Sequence, residues 1–285
     1  MAVSKTILLT GSTGFIGRAT FLALESEGWQ VTQGSRLFLE DMPKGVVHLD
    51  LADPSTVLAL AKGHRFDAIV HIGAHVGLSG HAESAMFAPN ILSTGCLAYL
   101  ANIWDAHMVY ASTAIVHGVG TERINCEAPI CLDNAYAKSK WLGEQLIVAS
   151  NARHCILRIA GVFGYAGPSH LGLNRAISMA IKGESPTQVG SGNALRSYVY
   201  VKDVALAVCY ALKNGLQGVH LLAGHEELSV SEMLKKVCQI LSPSLNPLYM
   251  DGIEAKNQVV KPSTSLPKTR DFCEALIDIR NDLHS

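Results

Sequence analysis

The stretch AYAKSK, residues 135–140, sets Tyr136 four positions before Lys140. Residues four apart share one face of a helix. A free tyrosine titrates at about pH 10, too high for efficient proton transfer at neutrality. A neighbouring ammonium favours the phenolate and lowers that value. The pair can therefore be an acid and the cation that tunes it, with Lys140 expected to bring Tyr136 down. A third polar side chain, Thr113, closes the apolar run HMVYAST.

These residues need a frame to hold them. KTILLT (5–10), WQVTQG (29–34), GVVHLD (45–50), FDAIVHIGA (66–74), HMVYAST (107–113), HCILRIAGVFG (154–164) and GVHLLAG (218–224) read as strands. Helical spacing returns at 15–28, 53–63, 86–104, 134–150, within 196–213, and at 229–241 and 269–283. Asp53 before Pro54 is a helix start, with the carboxylate as cap and the proline at the first helical position. Strands that are continuous apolar runs, alternating with helices, predict a parallel sheet covered on both faces. Thr113 then sits at the carboxyl edge of that sheet, where doubly wound folds bind ligands. Beyond about residue 165 glycine, proline and polar residues become denser. The expected division is a nucleotide-binding domain over 1–165, its sheet completed by about 195–225. A smaller substrate-binding region takes 166–195 and 225–285.

TGSTGFIG (10–17) follows the first strand and opens the first helix, with glycines at 11, 14 and 17. The first allows a sharp turn, the second lets a pyrophosphate approach the backbone, and the third lets helix and strand pack closely. HLD (48–50), HIGA (71–74), ASTAIVHG (111–118), the Tyr136–Lys140 pair and RSYVYVKDVALA (196–207) follow in order. On these motifs residues 5–225 resemble the extended short-chain dehydrogenase/reductase family of nucleotide-sugar epimerases, dehydratases and reductases. The resemblance implies an α/β Rossmann fold, a doubly wound parallel sheet. It implies Tyr136 as proton donor or acceptor, Lys140 as its tuner and a ligand of the cofactor ribose, and Thr113 as donor to the substrate oxygen. The implied cofactor-binding set is Gly11, Ser12, Thr13, Gly14, Phe15, Ile16, Gly17, Asp50 near adenine with Leu51 beside it, and Gly73 and Ala74. On the substrate side the candidates are Arg196, for the nucleotide diphosphate, with Asn174 and Ser112. Asn90 resembles the family's structural asparagine.

The end of the second strand decides between cofactors. NAD enzymes place a carboxylate there for the ribose 2′-hydroxyl, whereas QVTQGSR has none before Glu40. Ser35 and Arg36 can instead bind a 2′-phosphate, so NADP(H) is expected over NAD(H). Dehydratases of the family carry Asp-Glu after the threonine, and this chain has Ala114 and Ile115. Two readings remain: an NADPH-dependent reductase of a 4-keto sugar nucleotide, or a 4-epimerase. VVKPSTSLPKT (259–269), with Lys261 where the relatives have arginine, resembles dTDP-4-dehydrorhamnose reductases, whereas RSYVYVKDVA is closer to epimerases. A carbonyl reductase for a non-nucleotide substrate and a redox-silent nucleotide sensor are further readings.

Composition limits the partners. Lys and Arg number 23 against 24 Asp and Glu, without a basic run, which argues against nucleic acid and acidic membranes. No run of about 18 apolar residues suggests a span. The seven cysteines (96, 126, 131, 155, 209, 238, 273), without CxxC, and a start that runs straight into a strand predict reduced thiols in a cytoplasmic protein. Cys126 and Cys131 receive no role. His71, His75 and His81 lack ligand spacing, so no metal is expected. His117, in place of the family's tyrosine, reads as a packed core histidine. Helices flanking such folds often pair, which predicts a homodimer.

Overall fold

The structure is a computed structural model that describes residues 5–37, 42–77 and 83–283. Glu40 and His81 lie outside the described residues. Seven parallel strands form the main sheet: β1 Thr6–Thr10, β2 Gln30–Ser35, β3 Val46–His48, β4 Ala68–His71, β5 His107–Thr113, β6 His154–Ile159 and β7 Gly218–Leu222. Their order across the sheet is β7-β6-β5-β4-β1-β2-β3. The direction of progression reverses between β1 and β4, so a crevice opens outside their carboxyl ends.

Why the strands lack polar alternation is visible in the packing. Ile7, Leu9, Val70, Val109 and Leu157 point to one face. There they meet Leu24 of helix α1 (Phe15–Ser26) and Val204, Val208 and Leu212 of α6 (Val201–Asn214). Leu8, Ile69, Met108 and Ile156 point to the other face. They meet Val57 of α2 (Pro54–Ala59), Leu97, Leu100 and Trp104 of α3 (Ser93–Trp104), and Ile147 of α4 (Ala135–Ala149). Burying each such side chain stabilises by about 1.5–3 kcal/mol, on both faces at once. Asp53 caps α2 as expected, accepting from the Ser55 amide at 3.0 Å.

Two elements differ from the sequence reading. The run expected as one helix over 86–104 begins with a π-helical turn, Phe87–Leu92, before α3. Pro89 lies inside that turn, and proline lacks the amide a regular helix needs. A further helix, α5 (Gly172–Ile181), not assigned from sequence, lies in the stretch after residue 165 where glycine, proline and polar residues are denser. Its Leu173 and Ile177 pack with Met233 and Val237 of α7 (Val230–Leu241) and with Phe272, Leu276 and Ile279 of α8 (Phe272–Asp282). Capping boxes start the last two helices, Ser229 with Glu232 and Asp271 with Glu274. No helix among the described residues is long and apolar enough to cross a membrane.

Candidate active site

A cleft of about 730 Å³ lies along the carboxyl ends of β1, β4, β5 and β6. Gly11, Thr13, Gly14, Phe15, Ile16 and Gly17 form one wall of it, and Gly73 and Ala74 another. Gly11 has φ +74°, and a Cβ there would lie 2.6 Å from the Gly73 amide nitrogen. A Cβ on Gly17 would come within 1.9 Å of the Gly11 carbonyl oxygen. Only glycine fits either place. Gly14 caps α1 without a side-chain acceptor, and the first turn of the helix holds no acidic residue. This cradle fits a dinucleotide pyrophosphate.

Ser12 is buried behind the loop rather than in the cleft wall. Ser35 ends β2 and its Oγ accepts from the Leu37 amide at 3.2 Å, with Arg36 exposed beside it. Asp50 turns its carboxylate onto the Ala52 amide at 2.9 Å. Leu51 packs so closely under Gly73 that an added Cβ there would meet its Cδ1 at 2.6 Å.

Thr113 and Tyr136 line the cleft from opposite elements, the end of β5 and the first turn of α4. Asn134 caps α4 through the Ala137 amide at 2.8 Å, fixing where Tyr136 emerges. Thr113 Oγ1 accepts from the Ile115 amide at 3.3 Å, which leaves its O–H proton to donate. Lys140 lies one turn deeper, 1% exposed, with its ammonium 4.0 Å from the centroid of the Tyr110 ring. It does not reach the cleft wall.

The tuning expected between the pair is not what governs them here. Burial pushes Tyr136 up to about 12. It also pushes Lys140 down to about 7, opposed by the Glu144 carboxylate. Desolvation disfavours the charged form of each. At neutral pH Tyr136 therefore keeps its proton.

Two substrate candidates have other work. Ser112 lines the cleft, but its hydroxyl donates to Glu144. Asn174, 2% exposed and outside the cleft wall, accepts from the Gly164 amide at 3.1 Å and donates to the Val162 carbonyl at 3.0 Å. Both ends of its amide are thus satisfied by backbone, so it latches a loop instead of facing a ligand. Arg196 does line the cleft, although its Nη1 also donates to the Leu195 and Lys256 carbonyls.

Asn90 clamps His75 at both its amide (2.7 Å) and its carbonyl (2.8 Å), and donates to Ser139 on α4. His71 sits between the hydroxyls of Thr10 (2.7 Å) and Thr94 (2.9 Å), and burial holds it well below the usual histidine range. His117 is 2% exposed and packed inside, as its sequence context suggested. Several cleft residues escaped the sequence reading. Tyr198 and Gln258 line the cleft next to Arg196, and Val119 and His170 line it as well. Tyr198 was within reach, two positions after Arg196 in RSYVYV.

The profile of the NAD dependent epimerase/dehydratase family matches residues 7–224. A UDP-glucose 4-epimerase of Rhizobium meliloti is 27% identical over 291 residues, covering 88% of this chain and 86% of that protein. A 2-alkyl-3-oxoalkanoate reductase of Stenotrophomonas maltophilia is 32% identical over 160 residues, 51% of this chain and 46% of its own. Among solved structures, the Bordetella bronchiseptica enzyme WbmH in complex with NAD+ superposes with a TM-score of 0.82. It is 21% identical, with 99% of both chains covered.

Proposed function

The chain belongs to the NAD dependent epimerase/dehydratase family, and on that premise we propose that it reduces a keto group of a nucleotide-linked sugar, C4 of a deoxysugar in the leading reading. A nicotinamide dinucleotide bound in the cleft would supply the hydride. The rest falls to the chain's own side chains. Thr113 donates its free O–H to the carbonyl oxygen and polarises it. Tyr136 delivers its phenolic proton to that oxygen as negative charge develops there. The observation that carries the reading is that Tyr136, Thr113 and the glycine cradle line one cleft, with the Thr113 hydroxyl proton left to donate.

Tyr136 can give a proton in a reduction and take one in the reverse half-reaction, so the lean toward a reductase comes from sequence: VVKPSTSLPKT (259–269) resembles the dTDP-4-dehydrorhamnose reductases. Ser35 and Arg36, standing at the end of β2 where NAD enzymes have a carboxylate, support NADP(H) over NAD(H). Arg196 is the ligand for the nucleotide diphosphate, and Gly73, Ala74, Asp50 and Leu51 border the adenosine half.

The epimerase is the second reading, favoured by the relative that is 27% identical over 88% of this chain. One experiment separates the two: purified protein is offered NADPH and a panel of 4-keto sugar nucleotides. Net oxidation of NADPH supports the reductase. Cofactor that co-purifies, with sugar isomerised and no net consumption, replaces it by the epimerase.

The assignment of 1–165, with 195–225, to the dinucleotide and of 166–195 and 225–285 to the sugar belongs to the same proposal. So does a homodimer, supported by exposed apolar side chains on adjacent helices, Tyr99 and Ile103 on α3 and Leu142 and Leu146 on α4. Seven unpaired cysteines support a reducing, cytoplasmic setting.

A further inference from the structure

Tyr136, Lys140 and Glu144 follow one another at four-residue intervals, one stripe along α4. Glu144 is 1% exposed, yet its carboxylate is crowded with donors. Arg158 on β6 reaches it through Nε at 3.2 Å and Nη2 at 2.7 Å. Ser112, the neighbour of Thr113, donates its hydroxyl to Oε1. The remaining arm of the guanidinium, Nη1, lies 3.1 Å from His117 Nε2. His117 Nδ1 lies 3.0 Å from the Pro129 carbonyl. A carbonyl only accepts, so Nδ1 carries the hydrogen and Nε2 is left with a lone pair for the guanidinium. This fixes one neutral tautomer, and burial lowers the histidine's proton affinity in the same direction.

A buried ion pair is a poor device for stability alone, since desolvating two charges offsets most of their attraction. Its position suggests another use. The Tyr110 ring on β5 lies under the Lys140 ammonium, His71 on β4 and Glu144 on the same helix interact with its charge, and Tyr136 stands one turn back on the same stripe. Glu144 brings the negative charge to that group. Arg158 anchors it from β6, and Ser112 ties it to the strand end that carries Thr113.

We propose that Glu144, gripped by Arg158 and Ser112 and backed by His117, is a positioning residue that keeps Lys140 charged in its buried place and holds Thr113, Tyr136 and Lys140 in one register. The proposal rests on the hydride-transfer reading of Thr113 and Tyr136. Burial already brings Lys140 to about 7. Without the carboxylate it would lose its proton below neutrality and cease to act as a cation.

The test reads Lys140 itself. The full-length chain, labelled at the lysine side-chain carbons, is titrated by NMR as wild type, as Glu144→Gln and as the double variant E144Q/R158M. The double variant removes both buried charges together, an exchange that folded proteins commonly tolerate. The Lys140 midpoint should fall by about 1 pH unit or more in Glu144→Gln, a roughly tenfold loss of proton affinity, and by less in the double variant, where the opposing Arg158 charge leaves with the carboxylate. A midpoint in Glu144→Gln within about 0.3 unit of wild type, or one in the double variant above that of wild type, overturns the proposal. Absence of turnover in every form, with the midpoint shifted, would instead overturn the reaction assigned above and leave the positioning role standing.

Discussion

Two phenols lie in the neighbourhood of Lys140: Tyr110 beneath its ammonium and Tyr136 one turn back on α4. Burial holds both above the ordinary value, but only Tyr136 opens on the cleft. Tyr136→Phe keeps the ring and removes the proton. It should lower kcat by about 10²–10⁴ while dinucleotide affinity, read by fluorescence titration, stays within a few-fold. Unchanged turnover would remove the tyrosine from the mechanism. At the far end of the cradle the deciding residue is Arg36. If it meets a 2′-phosphate, Arg36→Asp exchanges a charge-assisted bond for repulsion. NADPH affinity should then fall about 10–100-fold while NADH affinity holds or rises. Equal losses for both cofactors would show that Arg36 does not read the phosphate.

At the scale of elements, the loop after β6 depends on one buried amide. Asn174 of α5 ties the Val162 carbonyl to the Gly164 amide, and the loop so held borders the cleft. Asn174→Ala strands a backbone donor and acceptor and should destabilise the chain by about 1–3 kcal/mol. The measurement is urea unfolding; a loss under about 0.5 kcal/mol would mean that water replaces the amide freely. This residue also marks how far the sequence could be read. Every main-sheet strand and α1, α4 and α6 were legible, because apolar runs and helical spacing are local signals. The tight glycine turn was legible because its spacing reflects local geometry, and Thr113 and Tyr136 do lie on the cleft, at a strand end and a helix start that the same local signals placed. Asn174 was misread as a ligand, since its partners are backbone groups ten or twelve positions away, which composition does not reveal. The same holds for Ser112. Arg158 and His117 lie 14 and 41 positions from their partners Glu144 and Arg158, so only the fold brings them together. Glu144 alone had a local signal, its place four residues after Lys140.

For the whole molecule, two properties follow from where charge and apolar surface sit. The exposed Tyr99, Ile103, Leu142 and Leu146 give α3 and α4 an unpartnered apolar face. The double variant Tyr99→Lys with Leu146→Lys should convert a sedimenting dimer to a monomer; a wild type that is already monomeric would end the dimer reading. Stability against pH is the second property. Lys140 binds its proton at about 7 in the fold, against an ordinary 10.5. Between those values the unfolded chain holds more protons than the native one, so stability rises with pH. Above about 9 the buried Cys155 thiol, pushed up to about 12, begins to pull the other way. The clean window is therefore about pH 7 to 9, over which Lys140 should add about 2 kcal/mol to the stability of the wild type. Lys140→Met has no such proton to lose. Its unfolding free energy should exceed the wild type's at neutral pH, and the gap should close by that amount as pH rises to about 9. A gap independent of pH would mean that Lys140 is solvated in the fold. A closing gap would mean that the molecule keeps a destabilising cation beside its candidate proton donor, as expected where a site trades stability for chemistry.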